Sequence, residues 1–152
     1  MTLLKTEGKY EVDEATLKAI RDLFVGDFAV EEQAEKTIAE VYDQYQYIMD
    51  THTAVGMNVY HKYKERTGDQ TVTVIVSTAS PFKFSGAVLK SLLGEAEIEG
   101  KTEIENLDLL AEKFDMKIPK GLSGLDQKEI RHKRVCDKED MIQCINDIIE
   151  KG

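Results

Sequence analysis

"QTVTVIVSTASP", residues 70–81, decides how this chain is built. Val72, Val74 and Val76 alternate with Thr71, Thr73 and Ile75, a β-branched run of period two that stops at Pro81. The alternation predicts a strand over about 71–77. With that strand the fold class is α/β; without it every other periodic segment is helical.

The flanking segments carry a period near 3.6. In "DEATLKAIRDLF" Asp13 is a good cap ahead of Leu17, Ile20, Leu23 and Phe24, which predicts a helix over 13–24. Ala34, Ile38, Val41, Tyr42 and Tyr45 share one face of a second, over 31–45. Val55, Val59 and Tyr63 form an i, i+4, i+8 stripe in a third, over 52–66, which Gly68 ends. "SGAVLKSLLG" predicts a short helix over 86–93, and Thr102 with Glu105 makes a capping box for one over 103–115. "MKIPKGLSGLD" reads as loop, and Ile142, Ile145 and Ile149 mark a last helix over 138–150.

One strand among six helices cannot stand alone, because its backbone N–H and C=O groups need partners. Short stretches at 8–12 ("GKYEV") and 46–50 ("QYIMD") are candidates for further strands; the other source is sheet lying upstream in a larger α/β protein. The expected architecture is therefore α/β and mostly helical, with a small, incomplete sheet, in a single region over 1–152.

Of 152 residues, 41% are apolar and 32% charged, enough for a modest core. Twenty basic residues against 29 acidic ones give a net charge of -9 with no basic block, which argues against nucleic acid and anionic membrane as partners. The start "MTLLKTEGKY" lacks the pattern of a secretory leader, and no apolar run approaches membrane length, so the expected location is cytoplasmic. Cys136 and Cys144, read as members of one helix, lie about 12 Å apart along its axis, too far for a disulfide. They read as reduced packing residues.

His52, His61, His132, Cys136 and Cys144 show no paired spacing of the zinc type, so no metal site is expected. No G-x-S-x-G elbow, phosphate-binding loop or dinucleotide turn is present either. Two stretches remain. In "DTHTAVG" (50–56) Asp50 is placed to cap a helix, and His52 reads either as a structural or surface residue or as a functional one. In "VIVSTASPFKFSG" (74–86) small hydroxyl residues follow the strand, where α/β proteins bind ligands; a plain turn with packed Phe82 and Phe84 is the equal alternative.

Taken together the two stretches resemble threonine synthase, a pyridoxal-phosphate enzyme of fold type II. The family pattern D-P-H-T-A-V, followed some twenty residues later by S-T-A-[SH]-P-x-K-F, is met by Asp50, His52, Thr53, Ala54 and Val55, then by Ser77, Thr78, Ala79, Ser80, Pro81, Lys83 and Phe84. "GLSGLDQKEIRHKRVCDKEDM" (121–141) is similar in style to that family's C-terminal end. Thr51 stands where the family usually has proline, a change a helix start tolerates.

The resemblance implies the C-terminal portion of a lyase that converts O-phospho-L-homoserine and water to L-threonine and phosphate. It implies that Thr78 meets the pyridine nitrogen of the cofactor and that Ser77 and Ser80 shape the same wall. Lys83 then offers a cation toward substrate or cofactor phosphate, or else a structural ion pair, and His52 borders the cleft in a positioning role. The lysine that binds the cofactor covalently and the glycine-rich loop that cradles its phosphate belong upstream of the pattern, so no catalytic residue is expected in this chain. Alone it is expected to be inactive and not to bind pyridoxal phosphate. Its expected partners are the remainder of the same enzyme and a small-molecule substrate, with self-association through an exposed sheet edge. The competing expectation is a non-catalytic helical protein-interaction module.

Overall fold

The computed structural model describes residues 2–151. The chain divides into two units, residues 1–118 and 119–152. The first contains α1 (Thr2–Glu7), α2 (Glu14–Leu23), α3 (Glu31–Tyr45), α4 (Thr51–Thr67), α5 (Ser85–Leu93) and α6 (Glu103–Lys113); the second contains α7 (Met141–Lys151).

Local chemistry sets the helix ends. Asp13 accepts from the Thr16 amide at the start of α2, and Thr102 and Glu105 cap α6 reciprocally. Asp50 accepts from the His52 and Thr53 amides at the start of α4. Gly68, at φ 69°, ends α4 in a left-handed conformation that costs glycine little.

α3 packs against α4 and α5, and α5 against α6. Ile38, Ala54, Val88, Leu89 and Leu110 are completely buried where these four helices meet. Gly86 permits the close approach of α5 to α6, since a Cβ there would come within 3.3 Å of Asn106 Nδ2. Tyr42 on α3 closes one end of the core by an edge-on contact with Phe114, ring centroids 5.2 Å apart.

The expected strand is absent: among the described residues no segment forms a sheet ladder, and residues 71–77 run as unpaired irregular chain. Val72, Val74 and Val76 are 93%, 80% and 73% exposed, so β-branched alternation without a pairing partner buries almost nothing. Only Ile75 is half-buried. Residues 8–12 and 46–50 form no strand either. In the latter, Gln46 turns the chain at φ 54° and Ile48, Met49 and Asp50 enter the helical core. The described residues are thus helical and irregular, and the sheet edge expected to drive self-association has no counterpart in them.

Two amphipathic readings are also revised. α4 turns Thr53 and Ala54 inward, while Val55, Val59 and Tyr63 are only half-buried. α2 leaves its whole apolar stripe exposed apart from half-buried Leu17. The cysteines do not share a helix: the extended conformation of Asp137 precedes a single 3-10 turn, Lys138–Asp140, and α7, so Cys136 lies in the segment leading in.

Candidate functional site

The site is built on the start of α4. Asp50 is fully buried, and its carboxylate accepts from the His52 amide at 2.9 Å, the Thr53 amide at 3.4 Å and the Thr53 hydroxyl. The His52 ring Nδ1 lies 3.3 Å from the same carboxylate. Burial pushes the Asp50 carboxyl up, but the Thr53 hydroxyl and the two amides outweigh it and hold the group below the ordinary aspartate value.

Thr53 carries this network across to the irregular segment 71–77, its Oγ1 lying 3.0 Å from Ser77 Oγ. A hydroxyl has one proton, and an ionised carboxylate cannot donate. The Thr53 proton is therefore committed to Asp50, so Ser77 donates to Thr53 and turns its lone pairs outward. Asp50 thereby orients Ser77 through Thr53, although the two residues lie far apart in the sequence.

Two hollows flank this chain of bonds. One, of about 360 Å³, lies among α3, α4 and α5 and is lined by Ala34, His52, Val55, Phe84 and Ala87 with Glu31 and Glu35 at its edge. The His52 ring meets Phe84 there, centroids 4.8 Å apart. The other, of about 290 Å³, is lined by Ser77 and Thr53 with Tyr45, Tyr47, Met57 and Ile75.

The five residues singled out in the sequence thus have distinct positions. His52 and Ser77 are joined through Asp50 and Thr53. Thr78 follows Ser77, is exposed and takes no part in the hydrogen-bond network among the described residues. Ser80 accepts from the Phe82 amide at 3.3 Å and so caps the 3-10 turn Pro81–Phe84 that leads into α5. Lys83 is exposed, with its ammonium 5.5 Å from the centre of the Phe84 ring. Asp50 as a hub, and the tyrosine and methionine wall beside Ser77, carry no sequence signal beyond the helix cap, because both depend on contacts distant along the chain. Among the described residues no group of three or more His, Cys, Asp or Glu is arranged to hold a metal. No helix among them is long and apolar enough to cross a membrane.

The buried Asp50 carboxylate thus acts through Thr53 on one hydroxyl, that of Ser77, in the segment beside the start of α4. The family described as "Threonine synthase, C-terminal" matches residues 53–145. The chain is 33% identical over 96 residues to threonine synthase of Saccharomyces cerevisiae, covering 60% of this chain and 19% of that protein. It is 33% identical over 105 residues to threonine synthase of Schizosaccharomyces pombe, covering 68% and 20% respectively. Against threonine synthase of Pseudomonas aeruginosa it is 35% identical over 92 residues, covering 60% and 19%. The chain belongs to the threonine synthase C-terminal family. Its matched part spans about a fifth of the length of these relatives.

Proposed function

We propose that this chain supplies the C-terminal wall of the cleft of a threonine synthase, a lyase converting O-phospho-L-homoserine and water to L-threonine and phosphate. The observation that carries the reading is the Asp50–Thr53–Ser77 chain of bonds, which orients one hydroxyl and leaves the next, Thr78, exposed. Pyridoxal phosphate, the cofactor implied for such an enzyme, supplies an electron sink for charge developing on the substrate. The residues present fit one edge of it. With the cofactor bound, the Thr78 hydroxyl would be the neutral hydrogen-bond partner of its pyridine nitrogen, and Ser77 would shape the same wall. Ser80 holds the turn that ends this wall. Lys83 offers a cation at the rim, and His52, steadied by Asp50 and Phe84, borders the neighbouring hollow and positions rather than transfers protons.

The test is a hybrid in which this chain replaces the matching segment of the Saccharomyces cerevisiae enzyme. It is expected to release phosphate from O-phosphohomoserine, and Thr78→Ala in it to lower the rate about tenfold, the order of one lost hydrogen bond. A folded, cofactor-loaded hybrid that releases no phosphate would overturn the reading. The chain by itself, treated with pyridoxal phosphate and borohydride, is expected to yield no stoichiometric single-lysine adduct; one such adduct would also count against it.

A second reading, a non-catalytic helical module that self-associates, is favoured by α7, whose Ile142, Ile145, Ile148 and Ile149 are all exposed. Concentration-dependent dimerisation abolished by Ile145→Glu distinguishes it from a chain that stays monomeric.

A further inference from the structure

The hollow of about 360 Å³ among α3, α4 and α5 carries chemistry that the proposed reaction does not use. None of Ser77, Thr78, Ser80 and Lys83 lines it, so a ligand there is independent of that reaction. Ala34, Val55, Phe84 and Ala87 give it an apolar lining. Its volume lies at the lower end of the range for small-molecule sites, roughly 300–1,000 Å³, which suits a ligand of a few carbons.

The polar groups at its edge are acceptors. Glu31 and Glu35 reach it from the start of α3. Glu35 is paired with Lys90 at 2.8 Å. Glu31 has no ion-pair partner among the described residues. The bond to Glu35, with the charges of Glu35, Glu95 and Glu31, holds the Lys90 ammonium above the ordinary lysine range: three carboxylates act on one cation. His52 brings a further acceptor from α4. Asp50 is ionised and can only accept, so the His52 Nδ1, 3.3 Å away, carries the proton that faces it. In the neutral ring this leaves the Nε2 lone pair free, on an imidazole that rests against Phe84 with centroids 4.8 Å apart.

We propose that this hollow binds a small organic cation, a primary ammonium carried on a short branched apolar body. The body displaces water from Ala34, Val55, Ala87 and the Phe84 ring, and the ammonium donates to the Glu31 carboxylate and to His52 Nε2. Charge selects the ligand. The Lys90 ammonium is already engaged by Glu35, so the edge has negative charge to spare and no free cation for an anionic ligand. A carboxylate of similar shape meets like charge, and an alcohol loses the ionic attraction, so both bind more weakly.

The experiment titrates the full chain, labelled in its histidine rings and alanine methyls, with isopentylammonium chloride at about pH 8 and follows the NMR shifts. Isopentanol and isovalerate are titrated beside it. Saturable shifts of His52, Ala34 and Ala87 are expected, with a Kd on the order of 1 mM for so small a ligand. Isopentanol is expected to bind roughly fivefold more weakly and isovalerate more weakly still. Glu31→Gln is expected to weaken the ammonium roughly threefold, and Ala87→Leu to fill the hollow and abolish saturable binding. Glu31 and Ala87 are both exposed, so both variants keep the fold, and the signal of the buried Ala54 methyl confirms it. Shifts that grow without saturation, isopentanol or isovalerate binding as tightly as the ammonium, or either variant binding like the unaltered chain would overturn the proposal.

Discussion

Replacing Asp50 tests whether the site is held by one carboxylate. The Asp50 side chain has no exposed surface, caps α4 through two amides, and accepts from the Thr53 hydroxyl. Asp50→Ala removes the cap, about 1 kcal/mol, and strands a buried hydroxyl donor, roughly 2 kcal/mol more. Asp50→Asn keeps an oxygen for the two amides but turns the acceptor facing the Thr53 hydroxyl into an NH2 donor, which that hydroxyl can accept from, so it is expected to cost about 1 kcal/mol. The six tyrosines all precede residue 119 and the chain has no tryptophan, so tyrosine fluorescence reports unfolding of the first unit alone. With a urea slope of about 2 kcal/mol per M, the midpoint is expected to fall by roughly 1.5 M for Ala and 0.5 M for Asn. The pH dependence supplies an independent check. Because the folded carboxyl titrates below its unfolded value, the unfolded chain binds more protons in that window. This contribution is fully present above the ordinary aspartate value, ~3.9, and is lost as pH falls through the lower folded value. Asp50→Asn is expected to abolish it. If neither variant moves the midpoint by ~0.2 M, the account in which one carboxylate holds the site is refuted.

Three further outcomes follow from particular contacts. Leu110→Ala, at a completely buried position on α6, is expected to lower stability by about 2–5 kcal/mol in the same urea titration. Thr102→Ala breaks the reciprocal cap of α6 and is expected to cost about 1 kcal/mol, with recovery of most of it in Thr102→Ser. Val74→Thr lies on the exposed irregular segment and is expected to change the isolated chain's stability by less than ~0.5 kcal/mol; a cost above ~1.5 kcal/mol would reveal pairing or burial there.

Much of this protein is legible in the sequence because a helix is a local object. Asp13, Asp50 and Thr102 each satisfy amides within three residues of themselves, and Gly68 ends α4 by its own backbone freedom. The pairing of "DTHTAV" with "STASPFKF" likewise identifies the family without coordinates, since the motifs are matters of residue order. A strand is different. The alternation in 71–77 states only that a sheet could accept this segment, and pairing requires a second segment that the described residues do not provide. Tertiary structure also decided which face of α4 is buried: Thr53 and Ala54 turn inward, while the valine stripe is only half-buried. It made Asp50 more than a cap, through a hydroxyl link to Ser77 across the fold. And it took Cys136 out of the helix that carries Cys144, because Asp137 is extended and Arg134, in the preceding segment, bonds to α7. Sequence determined what is satisfied within a few residues; packing between distant segments decided the rest.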